Sequence, residues 1–194
     1  MDWTDDQITE MRVGRPVYRD EEQGTSLTWV RTGEETGGEY GLIYGEYSPG
    51  AGVFPHFHKD YVETFRVLDG HGAGKVAGRA VQLRAGDEAV VPREAVHQFR
   101  CSGERTVRFL VEVRPAHPGF EKWVVTLQHM AAAGLTHPDG RPKNLYHAAL
   151  VLVESDVNLP GAGRALMPVF RLLAGRARRK GIDRMLEEKY YRQD

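Results

Sequence analysis

Hydrophobic and polar positions alternate most cleanly from Thr106 to Arg114, where Val107, Phe109, Val111 and Val113 point one way and Arg108, Glu112 and Arg114 the other. A period of two is that of a strand with one buried face. Thr25 to Arg31 and Tyr40 to Tyr47 carry aromatic and β-branched residues between glycine-rich breaks, as strands of an antiparallel sheet do, and Gly33 to Gly38 reads as their connecting loop. From Gly70 to Gly86 short apolar runs alternate with glycine turns, the signature of tight hairpins. The texture changes at Pro115-Ala116-His117-Pro118. Beyond it Phe120, Trp123, Val124, Leu127 and Met130 recur at helical spacing, with Pro118 where a first turn tolerates it and Gly134 where a helix stops. A second helix is expected over Leu145 to Glu154. A third is expected over Arg164 to Arg179, with Leu166, Phe170, Leu173 and Ala177 as its apolar stripe and Pro168 kinking or splitting it. Thr4 and Gln7 form a capping-box pattern for a short helix over Asp5 to Met11. The chain therefore divides into an N-terminal arm over 1–24, a β-rich body over 25–115 and a helical extension over 116–194.

Candidate chemistry sits in the middle of the β-rich body. His56 and His58 stand two apart, so on a strand both imidazoles face the same way and form a chelating pair. Lys59-Asp60 lets the chain turn, and the apolar run from Val62 to Leu68 starts a second strand that brings Glu63 back beside them. His97 follows the turn opened by Pro92 and supplies a fourth donor. Three neutral imidazoles and one carboxylate hold a divalent first-row ion and leave about two of six octahedral positions open. Iron, manganese, nickel and zinc all suit this set, and four buried ionisable groups would be costly to gather without a cation.

These residues resemble the two motifs of the cupin superfamily. The pattern G-x5-H-x-H-x4-E-x6-G is met at Gly50, His56, His58, Glu63 and Gly70; G-x5-P-x-G-x2-H-x3-N is met at Gly86, Pro92 and His97, with Glu94 in place of the glycine and Cys101 in place of the asparagine. Neither change removes a ligand, although a glycine at position 94 would often supply a positive φ. The resemblance implies a mainly β fold, a double-stranded β-helix or jelly-roll barrel of the small single-domain cupin kind over 25–115, carrying the metal inside it, with a C-terminal α-helical extension. It also implies a metal-dependent enzyme, an oxygenase or isomerase acting on a small organic acid, phenol or diketone, with Glu63 as the catalytic base. A cupin that binds or senses a small molecule without turnover is the alternative, and pairing of barrels implies a homodimer.

The remaining features refine that expectation. Phe54, Phe65, Phe99 and Val111 share the ligands' strand parity or face the barrel interior, so they are expected to line an apolar substrate pocket. Cys101 looks inward near His97 as a small hydrophobe. Tyr44, with Glu46, could face the pocket and move protons, although Ile43 and Tyr47 compete for the same parity. A formal net charge of −1 gives no global case for nucleic acid or an anionic membrane. The basic cluster Arg176 to Lys180 is read as the solvated face of a helix packed on the barrel or on a second subunit, in preference to a membrane contact. A single cysteine allows no internal disulfide, Met1 to Val13 is too charged for a secretory segment, and no apolar run approaches the roughly 20 residues of a membrane span, so a cytoplasmic protein is expected. His71, His117, His129, His137 and His147 lack partner spacing and are read as surface or capping residues, with His137-Pro138-Asp139 as a turn.

Overall fold

The computed structural model describes residues 3–192. Two antiparallel sheets face each other. The larger is built from β1 (Tyr18–Asp20), β2 (Thr25–Arg31), β3 (Gly41–Tyr47), β4 (Val62–Asp69), β7 (Glu88–Val91) and β9 (Val107–Arg114), in the order β1-β2-β3-β9-β4-β7. The smaller runs β6-β5-β8, from β6 (Arg79–Arg84), β5 (His71–Val76) and β8 (His97–Cys101). This is a jelly-roll barrel. β1 lies within the segment read as an arm, and the helix ahead of it, α1 (Asp5–Arg12), has the Thr4/Gln7 capping box.

The period of two in β9 sets which side of the large sheet is inside. Val107, Phe109, Val111 and Val113 enter the barrel core with Tyr47, Phe65, Val67 and Phe99. Leu110, on the opposite face, packs with Val30, Leu42 and Tyr44 under Ile8 and Met11 of α1. Room for the central rings is made by glycines. A Cβ on Gly45 would lie 2.5 Å from the Phe109 ring, and one on Gly72 would lie 2.5 Å from the Phe99 ring.

The extension is α2 (Pro118–Ala132), α3 (Leu145–Glu154), a 3-10 turn over Gly161–Leu166, α4 (Met167–Arg179) and α5 (Ile182–Tyr190). Pro168 sits in the first turn of α4, where its missing N–H costs nothing, so it starts the helix instead of splitting it. Leu166 falls on the 3-10 turn and is exposed, which removes it from the expected apolar stripe. The inward face of α4 is Met167, Ala174 and Ala177, and its small residues let it lie close against α3. Arg176, Arg178, Arg179 and Lys180 are exposed at its end. Glu154 ties the helices together by accepting from Trp123 Nε1 at 2.8 Å and Lys122 Nζ at 3.2 Å and by pairing with Arg178 Nε at 3.3 Å. The helix α5 was not anticipated from the sequence, because its charged run Asp183 to Lys189 masks the buried Leu186 and Tyr190. Among the described residues no helix is long and apolar enough to cross a membrane.

Candidate metal centre

His56, His58, Glu63 and His97 converge, all buried, with one donor atom from each lying within 4.8 Å of the others. Glu63 comes from β4, paired with Val91 on one side and Val113 on the other, and His97 opens β8. His56 and His58 do not lie on a regular strand. Pro55 precedes them without an N–H, His56 bridges to His97, and Phe57 bridges to Asn158 of the extension, so their common direction comes from two separate anchorages and not from a strand's alternation. Glu94 takes φ +63°, so this side chain keeps the left-handed turn that the family's glycine would make, and its N–H donates to His58 O at 2.6 Å.

Each imidazole is oriented through Nδ1. The acceptors are backbone carbonyls: Phe54 O at 2.7 Å for His56, Asp156 O at 3.1 Å for His58 and Ala95 O at 3.1 Å for His97. A carbonyl only accepts, so Nδ1 carries the proton in all three rings and every Nε2 keeps its lone pair for the centre. Glu63 Oε2 lies 2.8 Å from His97 Nε2 and 3.5 Å from His58 Nε2. The first distance is short, yet the geometry is not that of a hydrogen bond, and both atoms are buried without such a partner. Burial opposes ionisation of Glu63, but the facing His58 and His97 imidazoles outweigh it and hold the carboxyl well below the usual range. Burial, then the neighbouring His97 and His58, pushes His56 down to about 3, so it stays neutral. Burial also works against charge on His97, and Glu63 overcomes it and raises the imidazole.

A first-row ion fits this donor set. Donors about 2.1 Å from a common centre stand at most about 4.2 Å apart, so drawing in the outermost of the four by a few tenths of an ångström closes the shell. The unpartnered Glu63 Oε2 and His97 Nε2 then gain the partner they lack.

Beside the cluster lies a cavity of about 190 Å³. Phe65, Val111, His56 and Glu63 belong to its wall, and Phe54 reaches it from the rim, 45% exposed. Three expected pocket residues do not serve there. Phe99 is buried behind Phe65, stacked on it at 5.0 Å, and Cys101 turns its Sγ to Arg105 O at 3.2 Å. Tyr44 points out of the barrel: its ring lies under the Arg12 guanidinium at 3.7 Å, and its OH donates to Glu46 at 2.7 Å. The parity of β3 is resolved by Ile43 and Tyr47, which face inward to the cavity.

Much of the remaining wall comes from the extension. Phe120, Trp123, Val124, Leu127 and Gln128 present one face of α2, and Val151, Leu152, Ser155 and Val157 close from α3 and the turn after it. Tyr61, which the parity of the ligands does not single out, stacks on His58 at 4.2 Å, with its OH donating to Ser155 O at 3.2 Å. Burial, then Glu63, raises its phenol well above the ordinary value, so it remains a donor. The position of Tyr61, three residues past His58, gave no strand-parity reason to look for it. His117 caps α2 by accepting from Phe120 N at 2.9 Å.

Residues 43–113 match the family model described as the cupin domain. An uncharacterized protein of Aquifex aeolicus is 37% identical over 65 residues, 34% of this chain and 53% of that protein. A quercetin 2,3-dioxygenase of Bacillus subtilis is 30% identical over 77 residues, 40% of this chain and 23% of that protein. The matches thus span about half the length of the first of these curated relatives and about a quarter of the second. Among solved structures, an RmlC-like cupin from Shewanella frigidimarina is similar with a TM-score of 0.48 at 20% identity, over 55% of this chain and 89% of that one. A polyketide cyclase from Streptomyces resistomycificus is similar with a TM-score of 0.46 at 25% identity, over 53% and 75%. The matched segment covers β3 to β9 and all four clustered donors, so residues 43–113 form a cupin domain.

Proposed function

We propose that this protein is a metal-dependent enzyme, an oxygenase or isomerase that acts on a small organic acid, phenol or diketone. The observation that carries this reading is one arrangement: four converging donors, two of which, His56 and Glu63, belong to the wall of a mostly apolar cavity of about 190 Å³. A divalent ion held by His56, His58, Glu63 and His97 would supply Lewis acidity toward a substrate oxygen. The chain's own groups perform the remaining tasks. Phe65, Val111, Phe120 and Val124 bind the apolar body of the substrate and exclude water, which strengthens every charge interaction inside. Glu63 is the base in this reading: the facing imidazoles keep it ionised and also weaken it as a base, so it takes the substrate's proton only once that contact loosens. Tyr61, held protonated with its OH on Ser155 O, stacks on His58 and fixes that ring. One curated relative is named a dioxygenase, which adds weight to the oxygenase side. The reading extends to a homodimer in the cytoplasm, where the single Cys101 stays a thiol.

Metal content and turnover test it together. Protein purified without added metal should carry close to one first-row ion per chain by elemental analysis, and His58→Ala should lose it; full retention by the variant would defeat the assignment. Incubation of the loaded protein with candidate acids, phenols and diketones under oxygen should give oxygen uptake or an isomerised product. Saturable binding with no product in any case would make the protein a small-molecule binder or sensor instead.

A further inference from the structure

The three ligand imidazoles are not held alike. His56 and His97 direct Nδ1 to carbonyls two residues back in their own loops, Phe54 O and Ala95 O. His58 directs its Nδ1 to Asp156 O, 98 residues away in the turn that follows α3. We propose that Asp156 is a positioning residue for the metal ligand His58, so that the affinity of the barrel for its ion depends on the helical extension. This rests on the metal reading above and adds a second segment of chain to the site.

Every oxygen of Asp156 is engaged, and two of the three, Oδ2 and the carbonyl, hold the loop that carries His58. Its carboxylate Oδ2 accepts from Lys59 N at 2.5 Å and from Asp60 N at 2.8 Å, the two N–H groups immediately after the ligand. Its Oδ1 and its carbonyl accept from Asn158 Nδ2 at 2.7 and 2.9 Å. Around this residue the clamp continues in both directions. Phe57 and Asn158 exchange backbone hydrogen bonds at 3.0 and 2.9 Å, and Tyr61 OH reaches Ser155 O. Asp156 does this from φ +54°, a left-handed conformation that Asp and Asn adopt more readily than most side chains. Residues 57–61 have no regular strand to fix them, so the turn over 155–158 supplies the geometry that a ladder would supply elsewhere. Removing the carboxylate leaves two backbone N–H groups without their acceptor and frees the loop to rotate the His58 ring away from the other three donors.

The test is a cobalt(II) titration of metal-free full-length protein, read by visible absorption and by chelator competition, with helix content followed by circular dichroism. Partners that orient a metal-bound imidazole contribute about 10- to 100-fold in affinity, so Asp156→Ala should bind cobalt weaker by that factor and shift the ligand-field bands. Asp156→Asn keeps an acceptor for Lys59 and Asp60 and should lose less, though measurably. Asn144→Ala, which removes the cap at the far end of α3, where Asn144 Oδ1 accepts from Tyr146 N at 2.8 Å, should bind as the parent does. Affinity and bands unchanged in both Asp156 variants, or a loss in Asn144→Ala as large as in Asp156→Ala, would overturn the positioning role. Should Asp156→Ala fail to fold, the Asn variant decides alone: a loss supports the role and no loss overturns it. A parent protein that binds no cobalt would overturn the metal reading itself, and this role with it.

Discussion

Phe109 is the centre of the barrel's aromatic packing, and its truncation has a calculable cost. The side chain is 1% exposed, and its ring lies 4.6 Å from Tyr47 in an edge-on contact, 5.2 Å from Phe99 and 6.4 Å from Phe65. Phe109→Ala first loses the transfer free energy of the ring, about 2 kcal/mol. It also loses the edge-on contact, worth about 0.5–1.5 kcal/mol beyond area. The void adds more, because the neighbours cannot close over it: Phe99 is stacked on Phe65 and hemmed in by Gly72, and the opposite side of the ring already borders the cavity. Each 40 Å³ left open adds about 1 kcal/mol at about 24 cal/mol per Å³, so the total should be about 4 kcal/mol. Against a typical stability of about 5–15 kcal/mol, this leaves a protein that still folds but melts early. Urea unfolding of the metal-free protein, followed by tryptophan fluorescence at constant m, measures the difference directly. A loss below about 1.5 kcal/mol would mean that the barrel relaxes around the gap, and the description of a rigid wall behind the cavity would be wrong.

Two further outcomes follow from the site. Tyr44→Phe should leave metal binding and any turnover unchanged and cost at most about 1 kcal/mol, since its OH donates to Glu46 and meets Arg108 on the α1 side of the sheet, away from the cavity; a large loss of turnover in a folded variant would put Tyr44 back in the pocket. The metal-free protein should lose stability in acid through His56. Its folded pKa of about 3 lies below the unfolded value of about 6.5, so the unfolded chain takes up the proton first and stability falls as the pH drops from about 6.5 toward 3. His117, also lowered by burial, acts in the same sense, whereas His97, raised by Glu63, acts in the opposite one. Comparing thermal melts of parent and His56→Gln between pH 7 and pH 4 checks it, and identical pH slopes would refute it.

What could be read from the sequence was whatever rests on a local period. The alternation in Val107 to Val113 and the repeat from Phe120 to Met130 each identify an element, because one buried face dictates one spacing. The four donors were legible because their separations are fixed by two short loops of the barrel. Tyr44 was misjudged for a physical reason: β3 is buried on both faces, one against the cavity and one under α1, so no polar side marks its orientation. Cys101 and Phe99 do point inward, but inward is not the same as lining a cavity, and only the packing of Phe65 in front of Phe99 separates the two.

The extension was visible as helices but not as part of the site, and the reason lies in what a barrel leaves unfinished. From Phe57 to Asp60 the chain has no ladder of its own, so its N–H groups and the Nδ1 of His58 need acceptors from outside the barrel's strands. Those acceptors come from Asp156 and Asn158, whose sequence context, Ser155-Asp156-Val157-Asn158, reads as an ordinary polar turn after a helix. The same turn delivers Ser155 and Val157 to the cavity wall, while α2 brings Phe120 to 6.0 Å from the His58 ring. One structural element therefore both orients a ligand and closes the space above it. A barrel cut after Arg114 would keep all four donors in its sequence and still lack the groups that aim one of them.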